Sequence, residues 1–391
     1  MASQTSPARG PMPRADTVGS LLRPAVLHQA RHRFAAGEID AAALRQVEDA
    51  AIREVVRLQE EVGLPVVTDG EFRRENWWID FVSRLRGVEI RDGASPSAGS
   101  GPATDEHGHD HDHGHDHGHA QGYVPKQVLT VSRIGADGPV TVADYAFLAA
   151  ATDRLAKVTL PSPTRLHFHG GRGAVSRDAY PDIEEFFAEV AALYRREIAA
   201  LEAAGCRYIQ IDDPILAYFL SPRMRDGVRA EGDDPDARLR RYVRLVNDCI
   251  RDRAPDTRVG IHICRGNARS LALSEGPYDG LAEACFGELA ADRFLLEYDD
   301  PRSGGFEPLR LIPRGKEVVL GLVTTKHPGL ESKDALKRRI DEAARFLDPE
   351  QMAISPQCGF ASVVEGNAIG PADQLAKLRL VVETAREVWG G

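Results

Sequence analysis

Eight short apolar runs punctuate the chain, at about residues 17, 66, 164, 208, 259, 294, 318 and 352. Stretches with helical spacing separate most of them. Leu44, Val47, Ala51, Val55, Leu58 and Val62 recur at intervals of three and four, with Asp40 placed to cap that helix and Gly63 to stop it. Ile183, Phe186, Val190, Leu193, Glu197 and Leu201 form a second stripe ending at Gly205, and further helices are expected near 237–251, 278–289, 332–346 and 373–389. Eight strand–helix units predict an α/β fold, a single (β/α)8 TIM-type barrel. A doubly wound open sheet is the alternative. Its dinucleotide-binding form is disfavoured, because no Gly-x-Gly-x-x-Gly loop follows the first run.

The expected organisation is a disordered N-terminal tail over residues 1–13, rich in Pro, Ser and Gly, then a catalytic barrel over 14–391. Residues 92–122 interrupt the barrel as a low-complexity insertion, DGASPSAGSGPATDEHGHDHDHGHDHGHAQG. Seven of the 13 histidines stand there at alternate positions from His107 to His119. With nothing apolar to bury, the insertion is expected to stay disordered, either as a solvated tether or as a weak site for Zn²⁺, Ni²⁺ or Cu²⁺.

In such a barrel the C-terminal strand ends form the active-site face. Ser20, Glu71, Asp212, His262, Cys264, Glu297, Lys326 and Cys358 all lie at or near the ends of apolar runs. That repeated placement points to an enzyme. VGIHICRGN carries His262 and Cys264 into a loop, FLLEYDD delivers Glu297, and MAISPQCGF brings up Cys358. Any one of these alone reads as an ordinary buried residue. Together, one imidazole, two thiols and one carboxylate suit Zn²⁺. A dication with three anionic ligands carries net negative charge and activates water poorly. It still holds an incoming thiol as a nucleophilic thiolate, which suits alkyl transfer to sulfur. Asp213, next to Pro214, reads as a helix cap. Asp212 and Glu71 are candidates to hold the ammonium of an amino-acid substrate, and Ser20 with its neighbouring backbone to hold the carboxylate.

A net charge of −10 argues against nucleic acid as a general partner. No apolar run approaches the ~20 residues of a membrane helix, so no membrane partner is expected. MASQTSPARGPMPRADT has no apolar core and is not read as a secretory signal. Five cysteines, an odd number, argue against a disulfide framework and place the protein in a reducing cytosol.

TVGSLLRP, VVTDGEFRR, YIQIDDP, HICRGN, FLLEYDD, VLGLVTTK and SPQCGFAS resemble the cobalamin-independent methionine synthase family. More closely, they are similar to its short, single-barrel bacterial branch, the 5-methyltetrahydropteroyltriglutamate–homocysteine methyltransferase-like proteins. The resemblance covers about residues 14 to 389 apart from the insertion. It implies zinc held by His262, Cys264, Glu297 and Cys358, and homocysteine bound through its thiol to that zinc. Val18, Ser20, Glu71 and Asp212 match positions that hold the amino-acid end of homocysteine. The chain also departs from the pattern. It has no room for the second, N-terminal barrel that helps bind the folate tail. The proton-donating histidine after strand seven is replaced by Lys326, with His327 next to it; Tyr218 and His169 stand at two folate-contact positions. The expected reaction is therefore zinc-dependent methyl transfer from 5-methyltetrahydrofolate or a related donor to homocysteine, giving methionine, with Lys326 and His327 as catalytic candidates. The alternatives are zinc-thiolate alkyl transfer with another pair, such as a methyl-corrinoid or an epoxide with coenzyme M, and a non-enzymatic zinc buffer.

Overall fold

The structure is a computed structural model that describes residues 12–92, 126–267, 270 and 274–390. The expected tail, apart from Met12 and Pro13, and the His-rich insertion, apart from Asp92, lie outside the described residues. Nine strands are described: β1 (Val66–Val67), β2 (Arg86–Asp92), β3 (Lys126–Gly135), β4 (Leu155–Pro161), β5 (Tyr208–Asp212), β6 (Arg258–Ile263), β7 (Arg293–Glu297), β8 (Glu317–Val323) and β9 (Met352–Pro356).

Seven of them form one parallel sheet in the order β1-β4-β5-β6-β7-β8-β9. Their residues are almost all buried, as a sheet covered on both faces requires. Ile209, Ile211, Ile261, Ile263, Phe294, Val318, Leu320 and Ile354 are fully shielded from solvent. Each such side chain contributes roughly 1.5–3 kcal/mol by leaving water. The N-terminal segment closes the curled sheet between its edges. Ala15 forms a parallel bridge to Ile354 of β9. On the other side, Leu21 N donates to Gly70 O at 3.0 Å and Thr68 Oγ1 to Gly19 O at 2.7 Å, just past β1. The architecture is the expected TIM-type α/β barrel, with long amphipathic helices such as Ala41–Glu61, Ile183–Ala203 and Pro371–Trp389 around it.

Two local expectations are corrected. The run at residue 17 makes a single bridge at Ala15, not a strand, because Thr17 and Val18 are held by side chains from the barrel interior. The run at Thr164–Phe168 ends in a helical turn over Arg165–Phe168, and the strand is β4, upstream at Leu155–Pro161. β4 did not read as apolar because Lys157 and Thr159 both engage buried carboxylates, of Asp16 and Glu71. β2 and β3 form an antiparallel ribbon with Asp92 opposite Lys126, so the insertion joins two paired strands. Glu197, on the apolar stripe of its helix, is also buried. Its carboxylate accepts from the backbone nitrogens of Val140 and Thr141 at 2.8 and 2.7 Å and so fixes the turn that leads into the helix Val142–Ala150.

Candidate active site

The strand ends deliver their side chains to one cavity. Val18, Ser20, Glu71, Asp212, His262, Cys264 and Cys358 all line it. His262 is on β6, Cys264 follows its end, and Cys358 lies two residues past β9. One ligand atom each from His262, Cys264 and Cys358 falls within 4.8 Å of the others, and all three residues are buried. The His262 Nδ1 edge faces Leu295 O at 3.2 Å, while buried Nε2 has no hydrogen-bond partner. An orphaned imidazole nitrogen beside two thiols is the donor set of a soft or borderline metal. A hydrogen bond from Cys264, helped by His262, holds the Cys358 thiol well below its ordinary range despite burial. The same bond, with burial, pushes Cys264 up.

Glu297, at the end of β7, lies outside that triad. Its carboxylate accepts from Arg265 N at 2.8 Å and from Lys326 Nζ at 2.9 Å. Lys326 also reaches Asp299 at 3.2 Å and Asp300 at 3.4 Å. Despite burial, these carboxylates, Glu297 first, push its ammonium above the ordinary lysine range. Lys326 is thus a tightly held cation, whereas a proton donor must release its proton readily. His327 is exposed, and neither residue lines the cavity.

Two carboxyls share the cavity with the triad, and Asp212 stands directly across from His262 in the β5–β6 register. Glu71 follows β1 in the left-handed region, with φ 61°, a conformation that strains a non-glycine residue and recurs at functional sites. Its Oε1 accepts from Thr159 Oγ1 at 3.0 Å; buried Oε2 has no partner. Burial raises the Glu71 carboxyl. Burial also pushes Asp212 up to about 7, against the pull of His262 and a hydrogen bond from Gln210. Arg74 Nη1 stands 3.8 Å from Glu71 Oε1, so the buried, unpartnered Oε2 of Glu71 together with Asp212 is what suits a cationic ligand group. Asp213 points elsewhere. It caps the helix Pro214–Tyr218 through Leu216 N and accepts from Ser162 and Thr164. Ser20 Oγ lies 3.4 Å from Ala361 N.

Asn76, Trp77, Asn267 and Ser362 line the same cavity and were not singled out from sequence. Asn267 Oδ1 is buried without a partner, and Ser362 Oγ is 3.8 Å from Cys358 Sγ. The one available signal was the RGN turn following Cys264. Tyr218 also lines the cavity, and Phe168 packs between Tyr218 and His169, with ring centroids 5.7 and 4.9 Å away.

A sequence model of the cobalamin-independent synthase catalytic domain matches residues 12–160 and 172–387. The chain belongs to that family. Family members include an uncharacterized protein of Bacillus subtilis (strain 168), YxjG, 43% identical over the full length of both chains. A Listeria monocytogenes protein assigned as a vitamin-B12 independent methionine synthase superposes with TM-score 0.71 at 33% identity, covering 98% of this chain and 100% of that one. The 5-methyltetrahydropteroyltriglutamate–homocysteine methyltransferase of Thermosynechococcus vestitus is 26% identical over 90% of this chain, which spans only 41% of that enzyme. The family makes this chain an enzyme of the methionine-synthase type.

Proposed function

We propose that this enzyme transfers a methyl group from 5-methyltetrahydrofolate or a related donor to the thiol of homocysteine, giving methionine. Zinc is proposed to sit on His262, Cys264, Cys358 and Glu297. The observation that carries this reading is the placement of the His262–Cys264–Cys358 triad and the carboxyls of Glu71 and Asp212 in one cavity. Thiol-binding and ammonium-binding groups in one cavity suit an amino-acid thiol.

Bound there, zinc supplies the cation against which a substrate thiol ionises and stays nucleophilic at neutral pH. Glu297 is held for the metal by Arg265 N and shares Lys326 as its counter-ion. Glu71 and Asp212 take the substrate ammonium, and Ser20 with the backbone at Val18 fixes the amino-acid end. Burial of these groups excludes water and strengthens each polar contact. We assign Lys326 to the charge balance at Glu297 and His327, exposed beside it, to proton delivery toward the departing donor. All five cysteines are buried free thiols, which fits a reducing cytosol. No helix among the described residues is long and apolar enough to cross a membrane.

The test begins with the Co²⁺-substituted protein. Homocysteine should change its absorption through a new sulfur–metal bond; a protein that only buffers zinc would give no response. Methionine formation is then measured side by side with methyltetrahydrofolate, its triglutamate and methylcobalamin. Failure with all three, together with turnover of coenzyme M and an epoxide, would sink the homocysteine reading.

A further inference from the structure

Beneath the Asp212 carboxyl of the cavity runs a column of fully buried polar side chains. Asp16, Lys157 and Gln210 are each at most 1% exposed. Positions 208, 210 and 212 of β5 share one face of the strand, by its period of two. All three side chains join the column. Tyr208 OH donates to Asp16 Oδ2 at 2.7 Å. Lys157 Nζ donates to Asp16 Oδ1 at 2.9 Å, to Gln210 Oε1 at 2.7 Å and to Thr17 O. Gln210 Nε2 then donates to both Val18 O and Asp212 Oδ1, each at 2.7 Å.

The orientation of the Gln210 amide follows from the chemistry of its neighbours. An ammonium has only donors, so the atom facing Lys157 is the carbonyl oxygen. A backbone carbonyl and a carboxylate have only acceptors, so the NH₂ faces Val18 and Asp212. A flipped amide would set donor against donor at one end and acceptor against acceptor at the other. Both amide hydrogens are spent, one on each of two residues that line the cavity.

We infer that Gln210 is a positioning residue for the amino-acid pocket: locked by Lys157, it ties the Val18 backbone to the Asp212 carboxylate and so presents Asp212 to the substrate ammonium. The inference rests on the reading of Asp212 as an ammonium partner. With Oδ1 occupied by Gln210, Oδ2 is the edge left for substrate. Without Gln210, Asp212 gains freedom to rotate, and the carbonyl of Val18 loses its link to β5. Gln210 lies outside the cavity lining, so its effect passes through those two residues.

The test uses the zinc-loaded full chain and two thiols, homocysteine and 4-mercaptobutyrate, which lacks only the amino group. Binding is measured by calorimetry for the parent, Gln210→Leu, Gln210→Glu, Asp212→Asn and the Gln210→Leu/Asp212→Asn double variant. Gln210→Leu should weaken homocysteine roughly tenfold or more, as expected when two buried acceptors lose their donor. Affinity for 4-mercaptobutyrate should fall less than that for homocysteine, since a thiol without an ammonium does not use Asp212. Zinc content should not change. Gln210→Glu keeps the volume and the contact to Lys157 but not the two donors. It should show the same selective loss even where the leucine variant folds poorly. The double variant should be no worse than Asp212→Asn alone. If Asp212→Asn abolishes discrimination between the thiols while both Gln210 variants retain it, the positioning role is overturned and the ammonium reading stands. If Asp212→Asn itself leaves discrimination intact, Asp212 is not the ammonium partner and both readings fall.

Discussion

The Nδ1 atom of His262 lies 3.2 Å from the carbonyl oxygen of Leu295, one strand over. A carbonyl only accepts, so with Nδ1 donating to it the buried Nε2 is the ring nitrogen left for a metal. The backbone of β7 thus selects the tautomer that a metal needs.

From this geometry, zinc should bind in the barrel at about one equivalent per chain lacking residues 105–120. Cys358→Ser and His262→Ala should each lower affinity by at least about tenfold to a hundredfold, the effect ascribed even to outer-shell partners of a metal. Metal analysis after dialysis against a competing chelator measures this. A Cys358→Ser protein that retains zinc as well as its parent would remove Cys358 from the site.

Gly359→Ala should damage the amino-acid end while sparing the metal. A Cβ on Gly359 would fall onto Ser20 Oγ. Overpacking of this kind costs roughly 1–3 kcal/mol as the neighbour is displaced. The expected result is a KM for homocysteine raised about tenfold, with zinc content unchanged. An unchanged KM would mean that Ser20 takes no part in binding.

Six of the seven sheet strands were legible because their runs are mostly apolar, as strands covered on both faces must be; Tyr208–Asp212 and Arg293–Glu297 are buried at every position. β4 was hidden by Lys157 and Thr159, whose polarity is cancelled by partners distant in sequence. The β2–β3 ribbon was hidden because the insertion separates its strands. At the site, the grouping of His262, Cys264 and Cys358 was legible from ligand type and strand-end placement together. The partner of Glu297 was not: spacing does not say that Lys326 folds back to neutralise it. Asn267 and Ser362 escaped notice because they sit in loops, where no period reports which way a side chain points. The left-handed Glu71 was equally invisible, since its strain belongs to the turn after β1.

His167 should make the fold acid-sensitive. Its Nδ1 lies 2.9 Å from Tyr242 OH, and its ring packs on Phe187. Burial first, then Arg238 and Arg241, pushes its pKa from 6.5 down to about 3. Below pH 6.5 the unfolded chain therefore binds a proton that the folded chain refuses. The His167 contribution is fully retained above about pH 6.5 and is lost as pH falls toward 3, at about 1.4 kcal/mol per pH unit for one proton. Denaturant titrations between pH 5 and 7 of the parent and His167→Phe test this. The variant should start less stable, having lost the Tyr242 contact, but show a flatter pH dependence. Parallel slopes would mean that His167 takes up its proton in the folded protein as readily as in the unfolded one.

Removing residues 105–120 should leave fold and zinc-saturated turnover nearly unchanged. The insertion leaves at Asp92 and returns at Lys126, and these two residues are already paired across the β2–β3 ribbon. Shortening it roughly halves the excursion, which changes loop-closure free energy by only about 0.6 kcal/mol. The seven histidines give the segment a separate testable property. Imidazoles at alternate positions form a donor set able to take Zn²⁺, Ni²⁺ or Cu²⁺. If they gather zinc for the barrel, the deletion should slow only the recovery of activity after chelation, when zinc is returned at limiting concentration. Equal recovery rates would leave the segment as a tether. A large loss of turnover in saturating zinc would instead place the insertion against the active-site face.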